Sequence, residues 1–76
     1  DAFERGRGAY LVERARSATG LSQAAFAARY GVPVASIRDW EQGRRAPDAA
    51  AQAYLRVIAA MPDDVAAALA RAPEPS

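Results

Sequence analysis

Residues 22–43 read SQAAFAARYGVPVASIRDWEQG, a stretch that divides into two short helices around a tight turn at Tyr30-Gly31-Val32. Ser22 is an N-cap residue, its hydroxyl placed to accept from a backbone N–H of the first turn. Ala25 stands three residues on, where Glu or Gln would complete a capping box, so that half of the motif is missing. Phe26, Ala27 and Tyr30 fall at i, i+1 and i+4 and form one inward stripe. Gly31 suits the end of that helix, where a left-handed residue is needed and a side chain is costly. Pro33 suits the first turn of the next helix, where its missing N–H is not required. Ile37 and Trp40, at i and i+3, are expected to pack back onto Phe26 and Tyr30, which predicts a largely buried Trp40.

The rest of the second helix carries no large apolar group beyond Val34 at its start. Ala35, Ser36, Arg38, Asp39 and Gln42 make a small, polar outer face, the kind that enters a nucleic-acid groove. With Gln23 opening the first helix, Ala27 small at the crossing, Gly31 in the turn and Ile37 with Trp40 pointing inward, the stretch resembles the helix-turn-helix of the lambda repressor and Cro type, the XRE family. The resemblance covers roughly residues 10–61. The run Trp40 to Arg45, WEQGRR, is similar to antitoxins of HigA type, which repress their own toxin–antitoxin operon.

The side-chain chemistry of the groove face suggests base contacts. Val34 and Ala35 could touch a thymine methyl, Arg38 could take a guanine through O6 and N7, Asp39 could accept from a cytosine amino group, and Ser36 suits several partners. The resemblance adds Gln23 as a base or phosphate contact, with Ser22 and Gln42 on the backbone. It also implies that Gly43, Arg44 and Arg45 meet a phosphate through the N–H groups after the glycine. Val34-Ala35 departs from the polar pair that often reads bases in this family, so DNA shape is expected to supply part of the specificity. The resemblance further implies a buried or half-buried ion pair between Arg16 and Glu41, and a small ribonuclease-like toxin as partner.

Composition bounds the class. Seventy-six residues make one domain with a small core. Of the 51% hydrophobic residues, 21 are Ala, which favours helix and lets helix axes approach closely. All ten basic residues are Arg, whose planar fork suits phosphates and guanine edges, although coding bias toward Arg and Ala would give the same composition. The net charge of +1 argues for nothing by itself; residues 1–45 carry +3 and residues 46–76 carry −2, the split expected of a domain with one DNA-facing side. With no Cys and no His, disulfides, thiol chemistry and the commonest zinc sites are excluded.

Taken in order, residues 1–9 hold Gly6 and Gly8 without periodicity and are expected to form a flexible arm, a solvated tail more readily than one whose Arg5 and Arg7 reach phosphates. The domain proper is expected over residues 10–72. Helix 1 is expected from Ala9 to Ala18, with Leu11, Val12, Ala15 and Thr19 inward, Gly20 as its stop and Leu21 plugging the corner. Gly43 to Pro47 reads as a loop, and Asp48 as the N-cap of a helix from Ala49 to Ala60 with Ala51, Leu55 and Ile58 inward. Pro62 opens a fifth helix with Asp63 and Asp64 in its first turn, favourable against the helix dipole. Its larger apolar residues, Val65 and Leu69, are the expected dimer seam, and residues 73–76 a loose tail. The fold class is therefore all-α, a compact bundle of about five short helices.

No His or Cys offers a base or nucleophile, the adjacent Asp63-Asp64 pair does not converge on one site, and the glycines match no phosphate or dinucleotide motif, so no enzyme, cofactor or metal is expected. No apolar run approaches the ~20 residues that span a bilayer and no signal peptide is visible, so a cytoplasmic protein is expected. The chain opens at Asp1 rather than Met, as a fragment of something longer would. The function expected is a homodimeric repressor on a palindromic operator in double-stranded DNA, the antitoxin of a toxin–antitoxin module. The alternative is an interaction module that neutralises a toxin or dimerises without reading DNA specifically.

Overall fold

Leu11, Val12, Ala15, Phe26, Ala27, Tyr30, Ile37, Leu55 and Ile58 form one buried cluster, and four helices contribute to it. The computed structural model describes residues 2–73; Asp1 and residues 74–76, the end of the expected tail, lie outside it. Within the described residues the order is α1 (Ala2–Thr19), α2 (Gln23–Tyr30), α3 (Val34–Glu41), α4 (Ala49–Ala60) and α5 (Pro62–Arg71), without a strand. The expected all-α bundle is thus the architecture found. α1 and α4 pack along each other, α3 lies against α1 and α2, and α5 closes the end of α2 and α4.

The N-terminus departs from expectation. Residues 2–9 are not an arm but the first two turns of α1, which starts at Ala2 rather than Ala9. Two interior glycines should cost roughly 1 kcal/mol each in a helix, and tertiary contacts outweigh that cost. Pro47 is buried against Gly8, so closely that a Cβ there would stand 2.3 Å from Pro47 Cδ. Gln52 on α4 accepts from Arg7 Nε at 3.3 Å and donates to Glu4 Oε2 at 3.4 Å and to the Pro47 carbonyl at 3.0 Å. The two glycines therefore have opposite roles. Gly6→Ala, with nothing within 4 Å of the new methyl, should raise stability by about 0.5–1 kcal/mol. Gly8→Ala should lower it by about 1–3 kcal/mol as α1 and the loop are pushed apart. Denaturant midpoints of the two variants check the signs.

Tyr30 and Tyr54 tie α2, α4 and α5 together. The Tyr30 hydroxyl donates to the Pro62 carbonyl at 2.9 Å, and the Tyr54 hydroxyl donates to the Tyr30 carbonyl at 2.6 Å. The Phe26 and Tyr30 rings meet at 4.9 Å between centroids, tilted by 41°. Burial, and secondarily the neighbouring Tyr30, push the Tyr54 phenol above its ordinary value of 10.0. The fold thus prefers the neutral phenol, and its contribution is intact below that ordinary value and lost as pH rises through the raised one. Tyr54→Phe should lose about 1 kcal/mol at neutral pH and show a shallower alkaline fall in stability than the parent, as measured by urea titrations across the alkaline range.

Candidate nucleic-acid interface

α2 and α3 are set by their caps. Ser22 Oγ accepts from the Ala25 N–H at 3.1 Å, so its side chain is engaged in capping α2. Gly31 turns the chain in the left-handed region at φ 69°, and the Val32 N–H returns to the Ala27 carbonyl at 3.1 Å. Pro33 occupies the cap position just ahead of α3, its carbonyl accepting from Ser36 and Ile37. Ile37 is fully buried. Trp40 is not: it is half-buried, packed on the edge of the core, because the eight-residue α3 has only one turn of buried surface to offer.

What α3 leaves outward is a row of three exposed residues, Ala35, Arg38 and Gln42, at i, i+3 and i+7. Val34 is not on that row; it is half-buried and packs against the core, which leaves Ala35 as the small apolar group on the groove face. Behind the row runs a chain of polar contacts. Arg16 Nη1 lies 2.6 Å from Glu41 Oε2, with side chains 29% and 18% exposed, and Arg16 Nε also donates to the Leu21 carbonyl at 3.3 Å. Gln23 Nε2 donates to the other Glu41 oxygen, and Gln23 Oε1 accepts from Arg38 Nε at 3.4 Å. Glu41 thus fixes the Gln23 amide, which in turn steadies Arg38 at the centre of the face.

Removing Glu41 takes a partner from both Arg16 and Gln23, whereas removing Arg16 leaves the Glu41 carboxylate with the neutral Gln23 amide alone. Arg16→Ala should cost about 1–3 kcal/mol and Glu41→Ala somewhat more, with a coupling energy of about 0.5–3 kcal/mol between them. A double-mutant cycle by chemical denaturation measures this; additive losses would contradict a direct contact.

The end of α3 is a Schellman cap. The Gly43 N–H donates to the Trp40 carbonyl at 3.2 Å and the Arg44 N–H to the Asp39 carbonyl at 2.9 Å, with Gly43 at φ 72°. Of the N–H groups after the glycine that were expected at a phosphate, that of Arg44 is engaged in the helix cap. The side chains of Arg44 and Arg45 fold back along α3. Arg45 Nε reaches Asp39 Oδ2 at 3.0 Å and its Nη2 donates to Ser36 Oγ at 3.2 Å, while Arg44 Nη1 stands 3.4 Å from Asp39 Oδ1. In the absence of DNA, Asp39, expected at a base edge, braces both loop arginines, and Ser36 braces Arg45, along one side of the groove face.

This bracing was not read from the sequence. Its signal is an acid on the last turn of a glycine-terminated helix with two arginines after the glycine, because a Schellman turn sends the chain back past that acid. The α5 pair divides as well. Val65 is half-buried within its own domain, whereas Leu69 is 41% exposed in a shallow groove with Ala28, Arg29 and Ala66.

Taken together, Gln23 on one flank, Arg38 in the centre and Arg44 with Arg45 on the other give a helix face with cations spread across it, as a helix entering a major groove presents. A family model described as a helix-turn-helix domain matches residues 3–69. No curated protein and no solved structure matches the chain. Among the described residues no helix is long and apolar enough to cross a membrane.

Proposed function

Because the chain belongs to the helix-turn-helix domain family, we propose that it is a sequence-specific transcriptional repressor whose α3 enters the major groove of double-stranded DNA. The observation that carries this reading is the exposed row Ala35, Arg38, Gln42 flanked by Gln23 and by Arg44 and Arg45. Arg38 reads a guanine, Ala35 meets a thymine methyl, and the loop arginines leave Asp39 to take phosphates as the duplex arrives. The protein works by binding and does no catalysis.

One recognition helix covers too few base pairs to define a site. Two copies, with recognition helices about 34 Å apart, would read a palindrome, and the exposed Leu69 on α5 supports a seam there. The similarity of Trp40 to Arg45 to HigA-type antitoxins supports a finer assignment: a cytoplasmic antitoxin that represses its own operon and pairs with a small, basic, ribonuclease-like toxin. Gel shifts with the DNA upstream of its gene and with a scrambled duplex test the reading, and light scattering of the free and bound protein tests the dimer. Retardation of the upstream DNA alone supports it. An absence of retardation would make the chain an interaction module, and a basic toxin-sized neighbouring gene would then be its expected partner.

A further inference from the structure

The face of α1 turned away from α3 carries charges that DNA binding leaves unused. Between α1 and α4 lies an open cleft of about 370 Å³ lined by Arg7, Tyr10, Leu11, Arg14, Arg56 and Ala59. Arg14 and Arg56 are exposed and, among the described residues, no carboxylate pairs with them. Arg7 gives its Nε to Gln52, a neutral partner. Gln52 also holds the Glu4 carboxylate beside Arg7, so the two guanidiniums in the cleft without a paired acid are Arg14 and Arg56, beside a phenol that is 58% exposed. Like charges gathered this way repel one another.

We propose that this cleft is a docking site for an acidic segment of a partner protein, its carboxylates held by Arg14 and Arg56 and an apolar side chain laid against Tyr10 and Ala59. Charge complementarity selects the occupant: the guanidinium fork matches a carboxylate bidentately. Tyr and Arg over a small apolar floor are also the residues enriched at the energetic centres of interfaces. A duplex is the wrong occupant on geometric grounds. Arg7, Tyr10 and Arg14 share one stripe of α1, about 150° around the helix from Arg16 at 3.6 residues per turn, and Arg16 is the residue that turns to Glu41 of α3. DNA held by α3 therefore lies on the opposite side of α1. A basic toxin is equally unsuitable, so the occupant is a further partner beyond those of the DNA-binding reading.

The test is fluorescence anisotropy of the full chain with a fluorescein-labelled peptide of about a dozen residues, Glu throughout with Leu at every fourth position, beside the same peptide with Gln for Glu. The Glu peptide should bind saturably and the Gln peptide should not. Arg14→Glu and Arg56→Glu should each weaken binding roughly tenfold or more while keeping the parent's helical circular dichroism. Arg14→Gln and Arg56→Gln, which only remove charge, should weaken it less but in the same direction. No saturable binding of the Glu peptide, or binding indifferent to all four changes, would overturn the site. Loss of affinity for scrambled DNA with a reduced salt slope in these variants would overturn it too, by making the cleft a phosphate track. The peptide measurement needs no operator, so its failure and a failure of the DNA-binding reading are separate results.

Discussion

Phe26→Ala should lower the stability of the domain by about 3–5 kcal/mol, the largest effect expected of any single truncation here. Phe26 is fully buried and stacks on Tyr30, at the point where α2 meets the rest of the core. Proteins hold roughly 0.05–0.15 kcal/mol of stability per residue, or about 4–11 kcal/mol for 76 residues, so the variant should be partly or wholly unfolded at 37 °C. Chemical denaturation followed by circular dichroism measures it. Trp40→Ala removes a larger side chain but should cost only about half as much, because the indole is half-buried at the edge of the core. If the two losses came out equal, or in the reverse order, the placement of α3 against α2 would be wrong.

That contrast shows which parts of the chain could be read without coordinates. The pairs Phe26–Tyr30 and Leu55–Ile58 repeat at helical spacing and are bounded by Ser22, Gly31, Asp48 and Pro62, so pattern and punctuation point to the same elements. The start of α1 is not legible in the same way because the two signals conflict there. Gly6 and Gly8 argue locally against a helix, and the contacts that decide the matter, Pro47 on Gly8 and Gln52 on Arg7, come from residues about 40 positions away in sequence. Trp40 is shallower than its spacing suggests, because i, i+3 spacing gives the direction of a side chain and not how much protein stands over it.

The candidate site divides in the same way. Which residues share the outer face of α3 follows from helical period alone, and Arg38 and Gln42 are exposed on it. What those residues do to one another does not follow. That Arg16 lies 2.6 Å from Glu41 was suggested by resemblance rather than by any periodicity in the chain. The engagement of Gly43 and Arg44 N–H groups in the helix cap, and the fold-back of Arg44 and Arg45 onto Asp39, depend on the path of a turn that composition does not encode.

The second large effect is on binding, and it separates base reading from backbone contact. Arg38 stands at the centre of the exposed row, held by Gln23, while Arg44 and Arg45 stand at its edge, held by Asp39. Arg38→Ala should cost about 1–3 kcal/mol on the operator, relax preference at one base pair, and cost less on scrambled DNA. Arg44→Ala or Arg45→Ala should weaken binding to every sequence alike and lower the salt slope by about one unit each. Their effect should fall short of a free arginine's, because each must first leave Asp39, and these exposed pairs are worth at most about 1 kcal/mol. Binding of each variant to operator and scrambled duplex at several salt concentrations makes the comparison. Since any arginine on a basic face loses some affinity when removed, the decisive quantity is the ratio between the two DNAs. An Arg38→Ala variant that loses equally on both would place Arg38 on a phosphate, and α3 would then sit in the groove without reading it.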